Sequence, residues 1–108
     1  VEAAREVDDA RVKMNQERQE YSASARERLT KIDARAQELQ TQSKNAPSKT
    51  RRKVKSDLQA FPSERNSVES KLSTIESSND TSWKSAKEEV DQGLKNLEDR
   101  LDRVESKL

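Results

Sequence analysis

The sequence predicts an all-α fold, an antiparallel up-down-up three-helix bundle, coiled-coil-like, whose first helix is the longest and overhangs the others at its N-terminal end. Three observations carry that expectation. The first is composition: 22 basic and 21 acidic residues among 108 leave a net charge of +1, and only 29% of the chain is hydrophobic. Ala, Glu, Lys, Leu and Arg supply about half of all residues, the usage of long helices and coiled coils. The second is periodicity, since three separate segments place apolar residues at alternating steps of four and three, the spacing of a narrow helical seam. The third is register: folded back on one another, the three seams fall into shared layers.

The closing segment carries the clearest seam. Trp83, Lys87, Val90, Leu94, Leu97, Leu101, Val104 and Leu108 follow an unbroken alternation with a single polar member. Asp80, Thr81 and Ser82 precede it as N-cap candidates, so a helix is expected over about 81–107. The middle segment repeats the pattern at Val54, Leu58, Phe61, Arg65, Val68, Leu72 and Ile75. Pro47 suits the first turn of that helix, expected over about 48–78, and Pro62 lies inside it, where a missing N–H and a ring clash predict a kink. The opening segment, about 2–44, is less apolar, with Met14, Arg18, Tyr21, Ala25, Leu29, Ile32, Ala36 and Leu39 on one stripe. Two successive steps of four after Tyr21 form a stutter that locally unwinds a supercoil and that a bundle tolerates.

Short connections make consecutive helices antiparallel neighbours. Across the first turn Leu39 then faces Val54, Ile32 faces Phe61, Ala25 faces Val68 and Tyr21 faces Leu72. The residue numbers of all four pairs add to one total. Across the second turn the same holds for Val54 with Val104, Phe61 with Leu97, Val68 with Val90 and Ile75 with Trp83. One domain, 1–108, follows. Of the apolar residues larger than alanine, only Val1, Val7 and Val12 miss the seams. They mark residues 1–12 as an overhang or stalk reaching about 18 Å if helical.

The same composition excludes most chemistry. Histidine and cysteine are absent and there is a single glycine, which removes disulfides, the commonest metal ligands and phosphate-cradling glycine loops. Adjacent carboxylates such as Asp8 and Asp9, or Glu88 and Glu89, point about 100° apart on a helix rather than converging. The serines have no histidine to activate them. No enzyme activity, cofactor or metal is expected. No apolar run approaches the roughly 20 residues that cross a bilayer. The chain opens on Val1 rather than methionine, which suggests a processed or trimmed product whose leader, where one existed, has gone.

One local charge asymmetry stands out. Lys44, Lys49, Arg51, Arg52, Lys53 and Lys55 form a stretch with no acidic residue, of which Lys49, Arg51, Arg52, Lys53 and Lys55 are the candidate anion-binding residues. Cations in the opening turns of a helix oppose its dipole, by about 0.3 to 1 kcal/mol each. Compensation by Asp99, Asp102 and Glu105 at the end of the third helix is the plain expectation. An anionic partner, such as an acidic polymer or a lipid surface, is the sharper one. Nucleic acid is disfavoured, because no aromatic is interleaved with the cations and no recognition motif is present.

Within the seams, Arg65 and Lys87 are expected to cover core layers with their stems while their heads reach water, or to specify register. Gly93 is expected to allow close approach of backbones, and Trp83 to close the end of the core, with ligand stacking its functional alternative. Asn79-Asp80-Thr81 is a formal glycosylation sequon, meaningful only in a eukaryotic secretory setting.

The stretch from Ser78 to Leu97, with Trp83 opening a helix and Lys87, Val90-Asp91, Leu94 and Leu97 following, resembles the closing helix of small bacterial coiled-coil proteins. That resemblance implies an all-helical, often exported or lipoprotein-like protein without an assigned activity. A looser similarity links the chain to the spectrin repeat, also a three-helix unit, although its first helix has no tryptophan. The expected function is a non-catalytic structural, interaction or spacer module of a bacterial cell envelope, partnering proteins or itself. A polyanion-binding module is the alternative, and periplasmic or envelope-associated residence is expected over cytoplasmic.

Overall fold

The computed structural model describes residues 2–78 and 81–108, with side chains from residue 9 onward. Three helices, α1 (Glu2–Lys44), α2 (Ser48–Glu76) and α3 (Trp83–Lys107), all pack against one another. The result is an all-α three-helix bundle with α1 the longest, drawn out to 70 × 17 × 17 Å. Val1, Asn79 and Asp80 lie outside the described residues, which takes in two thirds of the sequon and one cap candidate. The Val7 side chain lies outside them as well.

Helix ends follow local hydrogen bonding. Pro47 takes an extended conformation, φ −58° and ψ 153°, and having no N–H to satisfy it is suited to launching α2. That helix stops at Glu76, two residues earlier than its sequence predicts. The last turn tightens there: after an ordinary helical bond from Ser77 N–H to Ser73 O at 3.2 Å, Ser78 N–H donates only three residues back, to Ile75 O at 3.1 Å, while the Ser77 hydroxyl donates to Thr74 O at 3.1 Å. Such side-chain bonds offer the backbone an alternative to continuing the helix. Before α3, bonds from Lys84 N–H to Thr81 O and from Ser85 N–H to Ser82 O are of the i to i+3 kind. They make residues 81–82 a turn, so α3 begins at Trp83 rather than 81. Helix α2 runs unbroken through Pro62, whose missing N–H leaves the Leu58 carbonyl without its usual helical donor.

The core is the set of shared seams. Leu29, Ile32, Leu39, Val54, Val68, Leu72, Ile75, Trp83, Val90, Leu94, Leu97, Leu101 and Val104 are buried, with Ala25 and Ala36 between them. Burial of each large side chain contributes roughly 1.5 to 3 kcal/mol. Four seam residues are only half-buried, Met14, Tyr21, Leu58 and Phe61, of which the last three pack against the core from its edge. Leu108, the last seam position, is exposed. Phe61 corrects the register argument. It shares its layer with the buried Ile32 and Leu97 but packs against the core only at the rim, where the ring lines a groove between α1 and α2 with Ala36, Gln37, Gln40 and Pro62.

Arginine–carboxylate pairs flank every interface. Arg26 of α1 reaches Glu69 and Glu76 of α2, and Arg65 of α2 returns to Asp33 of α1 at 3.0 Å. Arg28 and Arg35 of α1 reach Glu98, Asp102 and Glu105 of α3. Arg100 of α3 binds Asp57 at 2.7 Å and Glu64, both on α2. Arg65 therefore crosses the seam to a carboxylate rather than ending in water. Gly93 behaves as its sequence position suggests, since a Cβ there would stand 2.5 Å from Val68 Cγ2.

At the far end, α2 stops near Arg26, the residue that binds Glu76, and Trp83 starts α3 beside Tyr21, with ring centroids 6.0 Å apart. Helix α1 continues beyond both. Val12, half exposed at 55%, lies on that extension.

Candidate anion-binding surface at the first turn

The turn between α1 and α2 is built from three residues. Asn45 N–H bonds Thr41 O and Gln42 O, Ala46 N–H bonds Ser43 O, and Pro47 hands the chain to α2, where Arg51 N–H donates to Pro47 O at 3.0 Å. The opening of α2 then winds its cations onto two faces. Ser48, Arg51, Arg52 and Lys55, spaced three, one and three residues apart, share the face turned toward α1. With Lys44, Ser43 and Gln40 of α1, and with Leu58 and Gln59 farther along α2, they line a groove of about 450 Å³. Lys49 and Lys53 are exposed outside that wall. The five candidate anion-binding residues are thus one cluster by position but split by geometry: Arg51, Arg52 and Lys55 converge, and Lys49 and Lys53 do not.

The expected compensation from α3 fails for a specific reason. Asp102 and Glu105 turn to α1, where Arg35 Nη2 holds them at 2.7 and 2.5 Å. Hydrogen bonding to these two carboxylates raises the Arg35 pKa above its ordinary value. The one acid of early α2, Asp57, is 14% exposed and is surrounded by Arg100, Arg103 and Lys107 of α3, at 2.7, 3.6 and 3.7 Å. Lys107 also donates to Lys53 O at 3.4 Å, bringing another cation to this end. Among the described residues, no carboxylate comes within ion-pair distance of Lys44, Lys49, Arg51, Arg52, Lys53 or Lys55. Their polar contacts are local: Arg51 Nη2 donates to the Ser48 hydroxyl at 2.8 Å and Arg52 Nε to Ser48 O at 3.4 Å.

Two parts of the groove escape a reading of the basic run alone. Ser43 is 7% exposed and Leu58 is half-buried, and both belong to its wall. Facing positions across the first turn, extended one turn past Leu39, could have found Ser43.

The opposite end of the bundle is a lock rather than a site. Tyr21 donates to Asp91 Oδ1 at 2.7 Å and to Lys87 O at 3.1 Å, and Lys87 Nζ sits 5.3 Å from the Tyr21 ring centroid. Burial first, then the Asp91 hydrogen bond, pushes the phenol pKa well up, so Tyr21 stays neutral. Trp83 is 4% exposed, which leaves no open ring face for a stacked ligand. No group of three or more metal-ligating side chains occurs among the described residues, and none of the described helices is long and apolar enough to cross a membrane. No protein-family model, curated protein or solved structure matches the chain. The chemistry open to the first turn is electrostatic attraction and hydrogen bonding of an anion.

Proposed function

We propose that the chain is a non-catalytic interaction and spacer module of a bacterial cell envelope. The observation that carries this reading is the division of its side chains. The large apolar residues are spent on one internal seam, and the flanking arginines of all three interfaces are held by carboxylates, which favours a stiff rod 70 Å long. The likeness of residues 78–97 to closing helices of exported bacterial proteins supports the envelope placement. Donor and acceptor dyes on Lys13 and Lys49, both exposed, test the spacer role: one narrow distance distribution, unchanged from low to high salt, is expected. A broad or salt-collapsed distribution would remove it. Recovery of the native protein with cytoplasmic rather than envelope fractions would move its location to the alternative.

A second reading, polyanion binding, is favoured by one observation, the six cations of the first turn left without a carboxylate. Binding to an acidic polymer should then weaken steeply with added salt, because each neutralised cation contributes to the slope. It should be lost when Arg51, Arg52 and Lys53 are changed to glutamine. Absence of salt-sensitive binding would sink this second reading and leave the spacer role standing.

A further inference from the structure

We propose that the groove between Ser43 and Leu58 is a phosphate-headgroup site, by which the rod docks end-on against an anionic phospholipid surface. The proposal rests on the anion-binding reading above and narrows it to one pocket and one partner.

Four cations line the groove together, Lys44 from the last turn of α1 and Arg51, Arg52 and Lys55 from one face of α2. Beside them Ser43, only 7% exposed, lines the same groove, and a serine hydroxyl can donate to an anion's oxygen. The start of α2 adds to this, since Pro47 supplies no side-chain cap and the first N–H groups of a helix favour an anion.

Three features select a lipid surface over an extended polyanion. Along the flanks of the bundle Arg26, Arg28, Arg35, Arg65 and Arg100 are already held by carboxylates, so a polymer lying lengthwise would meet scattered single cations such as Lys84 and Lys95 there, whereas four cations converge at the tip. No aromatic residue stands among the tip cations to stack a base. The groove wall also includes Leu58, and Leu58 continues into the neighbouring groove that holds the half-buried Phe61 and the exposed Pro62. A headgroup at Ser43 would thus have apolar surface beside it for the first carbons of its chains.

The test is co-sedimentation of the full chain with vesicles of phosphatidylcholine, with and without phosphatidylglycerol. Binding is expected only to the anionic vesicles. Each lysine or arginine near such a surface contributes about fivefold in affinity, so the triple variant Arg51→Gln, Arg52→Gln, Lys55→Gln should bind roughly a hundredfold more weakly. The same loss of charge at the remote, exposed Lys13, Lys84 and Lys95 should cost far less. Ser43→Ala should weaken vesicle binding several-fold while leaving the thermal melt unchanged, and inorganic phosphate alone should shift the Ser43 and Lys44 amide resonances saturably where chloride of equal ionic strength does not. Equal losses from the tip and remote triples, with Ser43→Ala silent, would overturn the pocket while leaving general polyanion binding intact. Binding to polyphosphate or an oligonucleotide but not to vesicles, or saturable phosphate shifts without vesicle binding, would overturn the lipid partner. Binding to none of these probes would overturn the inference together with the reading beneath it.

Discussion

Glycine in mid-helix costs about 1 kcal/mol relative to alanine, so Gly93 calls for a compensating gain. Its backbone is an ordinary helical one, with no positive φ, and what it supplies is space. Val68 Cγ2 occupies the volume that a Cβ at position 93 would need, and Val68 is β-branched, with little rotamer freedom in a helix. Gly93→Ala therefore sets a propensity gain of about 1 kcal/mol against overpacking of about 1 to 3 kcal/mol. The expected outcome is a net loss near 1 kcal/mol, read as a lower urea midpoint. In the Val68→Ala background the clash is gone, and the same substitution should become stabilising. If Gly93→Ala stabilised the protein in both backgrounds, α2 and α3 would not approach as closely as drawn.

The helices themselves were legible because a seam residue has one place to go, and thirteen of the eighteen large seam side chains are buried as the repeat requires. Charge pairing was not legible in the same way. Asp102 and Glu105 lie near enough the end of α3 to serve either the start of α2 or Arg35, and in the structure both are held by Arg35. Residue numbers carry no information about which cation a carboxylate near a helix end will choose, which is why the first turn looked neutralised in sequence and is not so in the structure. The interhelical pairs have a consequence for pH. Hydrogen bonds from Arg26 and Arg28 hold the Glu69 and Glu98 carboxyls, respectively, below their ordinary values. A depressed native pKa contributes stability that is fully present above the unfolded glutamate value, about 4.3, and is lost as pH falls through the native value. Stability should thus hold from neutral pH to about 5 and decline on further acidification. Combining Glu69→Gln with Glu98→Gln should lower the plateau and flatten the decline, as followed by urea unfolding across that range. An unchanged acid limb would assign the decline to other carboxylates.

For the whole molecule, the question is whether the three helices unfold as one unit and which layer governs that unit. Leu97 is 0% exposed, in the middle of α3. An aspartate there loses the leucine's packing, about 2 to 5 kcal/mol by analogy with truncation, and buries a carboxylate with no cation in its layer, which costs more still. Domains of this size have about 5 to 15 kcal/mol in all, so Leu97→Asp should abolish the cooperative helical melt. Phe61 belongs to the same layer by residue number but lies at the rim, beside a groove open to water that also includes Arg65, one helical turn away. A carboxylate at 61 could remain hydrated and pair with Arg65 across that turn, a contact of about 0.2 to 0.5 kcal/mol. Phe61→Asp is accordingly expected to lower the melting midpoint while leaving a single cooperative transition by circular dichroism. Register alone treats the two substitutions as equivalent, whereas burial ranks Leu97 far above Phe61. Equal damage from both would return the Phe61 ring to the bundle axis, and survival of Leu97→Asp with full cooperativity would mean that the shared layers are not what holds the three helices together.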